Sequence, residues 1–325
     1  MFVLGIDGGG TKTIGVLCDH HGRVYSRAVV GPTNPNSLGY DRVETEIQKL
    51  LDSIREQTPD CFAKVTSFFA GMSGGDREED KRRMSGLFQQ YLPKGCQVQV
   101  DHDAVNALYS GTLGKPGVVH ISGTGSITFG IRAQNIRTRV GGWGFLLGDP
   151  GSGYSIGHRA VKAIFDEFDG IGEKTILTSF ILNHFHLGHV PGLIPIIYDM
   201  KKAREILASL SRFVFLAAEQ GDHVAKQILY KAGQEMAMSI RALILKLHQD
   251  EPNHETIPVV LAGGIFHKAD WFVPVIEEIL QFDHLQTKLI LPELPPVAGS
   301  VIAALQQAGV NITDSFIHSF KQEAS

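Results

Sequence analysis

Near the amino terminus, one short stretch combines an acid, three glycines and a cluster of hydroxyl and amine side chains. Its residues are Asp7, Gly8, Gly9, Gly10, Thr11, Lys12 and Thr13. Glycines let another group approach the main chain closely, and successive N–H groups in such a loop form a concave site for anions. The stretch lies between two apolar runs, so it predicts a phosphate-binding β-hairpin, with an ordinary glycine-rich turn as the alternative.

The same order of strand, glycine–hydroxyl loop and strand returns in residues 117–131. The second loop consists of Gly123, Thr124, Gly125 and Ser126. Aligning Asp7 with Ser122 superimposes the two loops, and Gly15 then falls on Gly130. This indicates a supersecondary unit repeated once in each half of the chain. We expect two related domains whose hairpins face one another across a cleft; the alternative is two unrelated hairpins.

The first loop does not match the two best-known nucleotide motifs. It lacks the G-x-x-x-x-G-K-[ST] spacing of a Walker A loop and the G-x-G-x-x-G spacing of a dinucleotide fingerprint. A strand rather than a helix also follows it, which excludes both motifs.

Two further acids, Asp101 and Asp103, lie between a predicted strand and a predicted helix. A hydroxyl group becomes a good nucleophile when a carboxylate within hydrogen-bond reach takes its proton. Both acids are therefore candidates for a general base, while capping of the following helix is the alternative for Asp103.

Residues 141–153 form a loop that contains six glycines together with Trp143 and Asp149. A loop that carries an aromatic ring and an acid is a shaped element rather than a linker, and such loops are often functional. A core position is the alternative for Trp143. Binding of loop N–H groups is the alternative for Asp149.

The elements that would position these residues follow from hydrophobic spacing. Besides the two hairpins, strands are predicted at 23–30, 65–70, 97–100, 257–261 and 288–291. Helices are predicted at 40–57, 104–113, 155–168, 174–186, 203–218, 224–248, 271–280 and 297–305, and residues 31–36 as a loop. Another helix is expected after a capping box formed by Asp76 and Glu79, and it carries Arg82, Met84, Leu87 and Tyr91.

Composition narrows the class of protein. The 325 residues suggest two domains. A net charge of −4 without a basic run argues against nucleic acid as a partner, and no apolar run approaches the roughly 20 residues of a membrane span. The amino terminus has no basic region of a signal peptide. The three cysteines lie far apart without a metal or disulfide pattern, so we expect a cytoplasmic protein.

Taken in order, these segments resemble the acetate and sugar kinase, Hsp70 and actin superfamily through residues 5–13, 101–106, 118–128, 259–266 and 296–304. The closer resemblance is to the BadF/BadG/BcrA/BcrD ATPase-like family, in its N-acetylglucosamine kinase branch. It rests on residues 72–76, on 122–126 and on the Gly-Gly-Trp-Gly…Gly-Asp-x-Gly-Ser element at 141–152. It covers most of the chain and is weakest at 174–203 and after residue 305.

Two similar groups of proteins differ from this chain in their cysteines. Sugar kinases of the ROK type carry a cysteine-rich zinc motif that this sequence lacks. Activators of 2-hydroxyacyl-CoA dehydratases bind an iron–sulfur cluster through paired cysteines. The cysteines of this chain fall in or beside predicted strands and do not match those positions.

The resemblance implies an α/β fold of two ribonuclease-H-like domains, the actin-like ATPase fold, with ATP and sugar in a central cleft. The N-terminal domain would comprise residues 1–113 and be completed by a C-terminal helix at 297–325. The larger domain would comprise residues 114–296 and contain a helical insertion. Related kinases are commonly dimers, so a homodimer is expected.

The resemblance also implies roles for individual residues. Asp103 matches the catalytic acid, Thr11 and Thr124 match ATP contacts within the two loops, and Asp7 is the expected magnesium residue, acting through water. Asp101 is expected to lie behind the site or close to the magnesium ion. Gly263 and Gly264 would lie against adenine and ribose. The implied sugar contacts are Asn34, Ser73, Gly74, Asp103, Gly142, Trp143, Gly144 and Asp149.

The implied activity is phosphorylation of the 6-hydroxyl of N-acetylglucosamine with ATP and Mg²⁺. N-acetylmuramic acid or glucosamine is the alternative sugar, and an arginine among Arg132, Arg137 and Arg139 near the sugar would favour the acidic one. Two further alternatives are an ATP-driven conformational partner that does not turn over sugar and a sugar-sensing regulator.

Overall fold

The computed structural model describes residues 1–75, 77–249, 256–282 and 286–324. In chain order its strands and α-helices are β1(Phe2–Gly8), β2(Thr13–Asp19), β3(Val24–Val30), α1(Pro35–Leu38), α2(Tyr40–Gln57), α3(Pro59–Phe62), β4(Val65–Met72), α4(Glu78–Tyr91), β5(Gln97–His102), α5(Asp103–Thr112), β6(Gly117–Ser122), β7(Ser126–Ile131), β8(Arg137–Gly141), α6(Gly153–Phe168), α7(Leu177–His184), α8(Ile194–Ile197), α9(Ala203–Glu219), α10(His223–Leu247), β9(Ile257–Ala262), α11(Val273–Phe282), β10(Thr287–Ile290), α12(Pro296–Gln307) and α13(Asp314–Ala324). Short 3₁₀ segments occur at Ala133–Asn135, Val190–Leu193 and Gly264–Trp271.

The chain divides into two compact units. Unit 1 consists of Met1–Lys115 and Pro292–Ser325, and unit 2 consists of Pro116–Leu291. The second part of unit 1 supplies α12, which packs on α5. A Cβ atom at Gly299 would lie 1.8 Å from the Asn106 carbonyl oxygen, so only glycine allows this approach of the two helices.

Each unit contains a five-stranded sheet of the same design. The strand order is β3-β2-β1-β4-β5 in unit 1 and β8-β7-β6-β9-β10 in unit 2. In both sheets the first three strands of the unit are antiparallel neighbours, and the last two lie parallel to the first. This repeated arrangement confirms the predicted α/β class and the repeated unit.

The two hairpins differ in the length of their connecting loop. The strands of hairpin 1, β1 and β2, pair up to Gly8 and Thr13, whereas those of hairpin 2, β6 and β7, pair up to Ser122 and Ser126. The first loop therefore has one residue more than the second. The expected equivalence of Gly15 and Gly130 is consequently wrong, because an ungapped alignment fails beyond the loop.

Amphipathic helices cover both sheets, as their hydrophobic spacing predicts. In unit 1, the five apolar positions predicted for α2 are all buried: Val43, Ile47, Leu50, Leu51 and Ile54. In unit 2, the largest apolar cluster combines the sheet with α6, α9 and α10. These cores fix the strand ends from which the hairpin loops project.

Several local predictions need correction. The expected loop at 31–36 contains the start of α1, and β8 was not predicted. The chain from residue 297 onward forms two helices, α12 and α13, instead of one. The helix expected at 174–186 is limited to α7, and a 3₁₀ segment precedes α11. Asp76 of the expected capping box lies outside the described residues; α4 begins at Glu78.

Candidate active site

Asp7 lies at the end of β1 and is bonded to a buried amide. Asn106 Nδ2 donates to Asp7 Oδ1 at 2.8 Å and also lies within hydrogen-bond distance of the Ile6 and Gly71 carbonyl oxygens, at 3.3 and 3.2 Å. Asn106 is fully buried on α5, one helical turn after Asp103. The helix that carries the candidate base is therefore bonded directly to hairpin 1.

The environment of Asp7 disfavours its ionised form. The pKa of Asp7 is raised from its ordinary value of 3.8 to about 6: burial has the largest effect, the hydrogen bond from Asn106 lowers the pKa, the nearby Asp103 carboxylate raises it, and Lys12 lowers it. A carboxylate that is poorly solvated and lies near another acid is a favourable position for a cation.

The residues of the first loop fall into two groups. Thr11 and Lys12 are exposed at its tip, and nothing lies within 4 Å of a Cβ position at Gly10. Thr13 is buried, and its hydroxyl lies 2.7 Å from the Thr33 hydroxyl. The tip of the loop is thus open to a ligand, whereas the Thr13 side chain is part of the fold.

Three of the expected sugar contacts in unit 1 lie together. Asn34 caps α1, its Nδ2 donates to Ser73 Oγ at 3.2 Å, and Ser73 N donates to the Gly8 carbonyl oxygen at 2.7 Å. A Cβ atom at Gly74 would lie 2.5 Å from Asn34 Oδ1. This polar group is therefore joined to hairpin 1.

Asp101 and Asp103 have different surroundings. Asp101 is buried, and its Oδ1 lies 3.1 Å from Lys81 Nζ and accepts from the His102 N–H at 2.8 Å. Asp103 is the first residue of α5, 29% of its side chain is exposed, and its Oδ1 lies 2.9 Å from His102 Nδ1. Asp101 is thus part of a buried ion pair, whereas Asp103 can reach a ligand.

The cap of α5 is His102, not Asp103. The Ala104 N–H donates to His102 Nδ1 at 3.1 Å. The alternative in which Asp103 serves as the helix cap is therefore wrong, and its carboxylate is not occupied by that role.

Hairpin 2 is bonded to the segment that starts α6. The Gly153 N–H donates to the Gly123 carbonyl oxygen at 2.8 Å, and the Tyr154 N–H donates to the Thr124 carbonyl oxygen at 3.2 Å. Ser126 Oγ donates to the Pro150 carbonyl oxygen at 2.8 Å. Thr124 itself is exposed. The glycine–hydroxyl loop and the segment at 149–154 consequently form one rigid piece of unit 2.

Asp149 faces that same loop. Its φ is +60°, which a non-glycine residue adopts at a cost, and its side chain is almost fully buried. Burial raises the pKa of Asp149, while the Ser126 N–H and the Arg204 guanidinium lower it. The expected alternative, a contact with loop N–H groups, is thus present, and Asp149 Oδ2 has no hydrogen-bond partner.

Trp143 lies on the surface of unit 2. Its side chain is 63% exposed, so the alternative of a core position is wrong. The Arg139 guanidinium lies 4.3 Å from the centre of its ring, and Arg139 Nη1 lies 3.3 Å from the Gly142 carbonyl oxygen. A Cβ position at Gly144 has open space around it. An exposed aromatic ring flanked by bare main chain can form one wall of a carbohydrate site.

Gly263 directly follows β9 and lies beside hairpin 2. Its φ is +102°, and a Cβ atom there would lie 2.2 Å from the Ser122 carbonyl oxygen. Only glycine meets both conditions. No atom lies within 4 Å of a Cβ position at Gly264, so this turn offers open main chain to a ligand.

Sequence reasoning missed two residues of the site in unit 1. Asn106 lies within a family motif at residues 101–106, and its polar side chain three positions after Asp103 on an apolar helix is a signal that both share one face. Lys81 gave no signal, because its pairing with Asp101 depends on the tertiary structure.

The described residues contain neither a cluster of metal-ligating side chains nor a helix that could span a membrane. Across the ranges 1–75, 77–249, 256–282 and 286–324, no three His, Cys, Asp or Glu side chains are close enough to form a metal site by themselves. The helices of these ranges also include none with the length and apolarity of a membrane span.

Comparison with known proteins identifies the family. The model of the BadF/BadG/BcrA/BcrD ATPase family matches residues 4–306. The chain belongs to this family. Its predicted membership is thereby confirmed, and ATP is the nucleotide of this ATPase family.

Two relatives with assigned activities match this chain over nearly the full length of both sequences. The N-acetylmuramic acid/N-acetylglucosamine kinase of Clostridium acetobutylicum is 33% identical over 93% of this chain and 98% of its own. The N-acetyl-D-glucosamine kinase of Dictyostelium discoideum is 33% identical over 93% and 97%. A solved structure from Chromobacterium violaceum, described as a candidate N-acetylglucosamine kinase, has a TM-score of 0.69 at 23% identity over 94% of this chain and 99% of its own, which confirms the fold.

Proposed function

We propose that this protein is a kinase that transfers the γ-phosphoryl group of Mg-ATP to the 6-hydroxyl of an N-acetylated amino sugar, N-acetylglucosamine first of all. The observation that carries this proposal is the accessible Asp103 carboxylate on a helix bonded through Asn106 to hairpin 1. The names of the two relatives at 33% identity support the same reaction class.

Asp103 is the general base of the proposed reaction. The sugar O6 forms a bond to the γ-phosphorus while the bond from that phosphorus to the β,γ-bridging oxygen breaks, and ADP leaves with that electron pair. Asp103 accepts the O6 proton. Such a transfer depends mainly on positioning and charge neutralisation, and the place of Asp103 as the first residue of α5 positions the carboxylate.

The loops of the two hairpins are the proposed phosphate-binding elements. Thr11 and Lys12 supply side chains at the first tip, with main chain from Gly8, Gly9 and Gly10, and Thr13 contributes by shaping the loop. The exposed Thr124 and the Gly125 main chain supply the second, while Gly123 and Ser126 shape the loop, since their N–H groups donate to the Gly125 carbonyl oxygen and to Asp149. Gly263 and Gly264 are the proposed contacts of the adenosine part.

A magnesium ion fits the donor groups of hairpin 1. Mg²⁺ is usually held by one or two carboxylates and substrate phosphates and keeps several waters. Asp7, whose ionised form is destabilised by burial and by Asp103, gains from a cation in this position. When bound, the ion would neutralise phosphate charge, and Asp7 would hold it through water.

The proposed sugar contacts in unit 1 are Asn34, Ser73 and Gly74, and those in unit 2 are Gly142, Trp143, Gly144 and Asp149. Asn34 and Ser73 provide an amide and a hydroxyl within one hydrogen-bonded group. Trp143 provides an apolar face, and Asp149 Oδ2 provides an acceptor without a partner. Polar groups combined with an aromatic wall are what a hexose amide requires.

One observation favours an acidic sugar as a second substrate. Of the three arginines considered for this role, Arg139 lies against the Trp143 ring, whereas Arg137 Nε donates to Asn135 at 2.8 Å. A guanidinium beside a proposed sugar contact can pair with the lactyl carboxylate of N-acetylmuramic acid. That sugar is therefore the second candidate. Glucosamine, the other alternative, has no carboxylate and serves as the comparison.

A coupled assay of ADP release tests the reaction class. Wild type, Asp103→Asn and the control Asp41→Asn are incubated with Mg-ATP and N-acetylglucosamine, N-acetylmuramic acid, glucosamine or glucose. Asp41 is an exposed acid in the first turn of α2, so it matches Asp103 in helix position alone.

We expect sugar-stimulated release that falls about 10²-fold or more in Asp103→Asn and is unchanged in Asp41→Asn. ADP release at the same rate with and without every sugar would contradict the proposal and favour an ATP-driven conformational partner. Binding of sugar without ADP release would favour a sugar-sensing regulator.

A further inference from the structure

A guanidinium that no motif includes lies beside the loop of hairpin 2. Arg204 is the second residue of α9. A Cβ atom at Gly125 would lie 2.6 Å from Arg204 Nη2 and equally 2.6 Å from Asp149 Oδ2. The guanidinium and the carboxylate therefore cover the same side of Gly125, and any side chain larger than hydrogen at that position would displace them.

The hydrogen-bonding capacity of Arg204 is incompletely used. Its Nη2 lies 3.7 Å from Asp149 Oδ2, which is close enough for an ion pair and too far for a hydrogen bond. Arg204 Nε and Asp149 Oδ2 are both buried without a hydrogen-bond partner. Because 41% of the Arg204 side chain is exposed, a ligand can still reach it.

The packing of α9 fixes this guanidinium relative to the loop. A Cβ atom at Gly153 would lie 3.0 Å from the Gly123 carbonyl oxygen and 3.3 Å from the Ala208 carbonyl oxygen. The start of α6 is thus in contact with both the loop and the first turns of α9. Arg204, one turn before Ala208, is held beside the loop by main-chain packing.

We infer that Arg204 binds a phosphate group of the nucleotide at hairpin 2. The inference rests on the proposed function in so far as that function assigns hairpin 2 to the nucleotide. An arginine fork matches phosphate oxygens with two parallel hydrogen bonds, and the loop supplies bare main chain beside it. In the absence of nucleotide, the Asp149 carboxylate is the counter-charge that makes the partly buried guanidinium tolerable.

Isothermal titration of ATP and ADP, without sugar, tests this role. Wild type is compared with Arg204→Gln, with Arg204→Lys and with the control Arg212→Gln, and binding of adenosine is followed by ligand-observed NMR. Arg212 is an exposed arginine on the same helix that packs on Phe213, so its replacement removes the same charge away from the loop.

We expect the Kd of ATP and ADP to rise at least about 10-fold in Arg204→Gln, as for loss of a hydrogen-bonded charge. Adenosine binding is expected to stay within about 2-fold, because adenosine has no phosphate. Arg204→Lys should be intermediate, since the charge remains and the fork is lost. Arg212→Gln should match wild type.

Unchanged Kd values of ATP and ADP in Arg204→Gln would overturn the inference, as would an equal loss of adenosine binding. If Arg204→Gln does not fold, Arg204→Lys decides by the same criterion. Wild type that binds nucleotide but phosphorylates no sugar would contradict the proposed function alone, because these titrations contain no sugar. Wild type that binds no nucleotide would contradict both.

Discussion

Asn106 Nδ2 donates a hydrogen bond to Asp7 Oδ1 over 2.8 Å. The two residues are 99 positions apart in sequence, and the bond joins α5 to the end of β1. The same amide group lies within hydrogen-bond distance of the Ile6 and Gly71 carbonyl oxygens on the adjacent parallel strands β1 and β4. A single buried side chain therefore fixes hairpin 1 relative to the helix of the candidate base.

Replacing Asn106 with alanine should weaken both stability and nucleotide binding. The change leaves Asp7 and two buried carbonyl oxygens without this donor, so the free energy of unfolding should fall by about 2–3 kcal/mol. The pKa of Asp7 should rise further, because Asn106 lowers it. Urea unfolding and titration with Mg-ADP measure the two effects. Ser110→Ala is the control, because it loses only a bond to the Ala107 carbonyl oxygen within α5. Its free energy of unfolding and its affinity for Mg-ADP should stay close to those of wild type.

Asp7→Asn should stabilise the protein in the absence of metal and nucleotide. An acid whose pKa is raised to about 6 binds its proton more tightly in the folded than in the unfolded chain. Its contribution to stability is present below about pH 4 and is lost as the pH rises through 6. The variant should therefore exceed wild type by up to about 3 kcal/mol at pH 7.5 and match it at pH 4.

Urea unfolding with EDTA at pH 4, 5, 6 and 7.5 measures this difference, with Asp41→Asn as the control for an exposed acid. A difference between Asp7→Asn and wild type that does not change with pH would show that Asp7 does not titrate as described. The same variant should lose affinity for Mg-ATP, since the proposed magnesium residue is removed.

Trp143→Ala should change sugar binding and leave stability almost unchanged. The ring is 63% exposed, so its removal should alter the free energy of unfolding by less than about 0.5 kcal/mol. Loss of an aromatic wall should raise the KM for the sugar about 10-fold, with a smaller change in the KM for ATP. Leu147→Ala is the control, because Leu147 is 80% exposed in the same loop. Equal kinetics in Trp143→Ala and wild type would remove Trp143 from the site.

Lys81→Ala should destabilise unit 1 more than replacement of an exposed lysine. The change removes the ammonium group that lies 3.1 Å from the buried Asp101 carboxylate, which should cost about 3 kcal/mol. Lys49→Ala removes an exposed pair with Glu46 and should cost less than about 1 kcal/mol. Chemical denaturation compares the two. If both variants lose the same stability, Asp101 does not depend on Lys81.

The elements that sequence predicts well are those whose signal is local. The glycine–hydroxyl loops between apolar runs identify both hairpins, and the five apolar positions of α2 identify its buried face. β8 gives no such signal, because all five of its residues are only partly buried and two are arginines. Its place in the sheet comes from pairing with β7.

The parts of the site that sequence does not predict depend on long-range contacts. Asn106 bonds to residues about 100 positions away, and Arg204 lies beside a loop that precedes it by more than 70 residues. Arg204 also follows directly on the segment where the family resemblance is weakest. The capping of α5 by His102 is an exception, because its contact with the Ala104 N–H is local; histidine is simply not among the residue types that usually mark a helix N-cap.

Identification of the phosphorylated product is the sharpest test of the proposed sugar kinase activity. Wild type and Asp103→Asn are incubated with Mg-ATP and ¹³C-labelled N-acetylglucosamine, and the product is analysed by ³¹P and ¹³C NMR. We expect a phosphate ester coupled to C6, formed by wild type and reduced about 10²-fold or more in the variant. Inorganic phosphate accompanied by unmodified sugar, or a phosphate on another carbon, would contradict it.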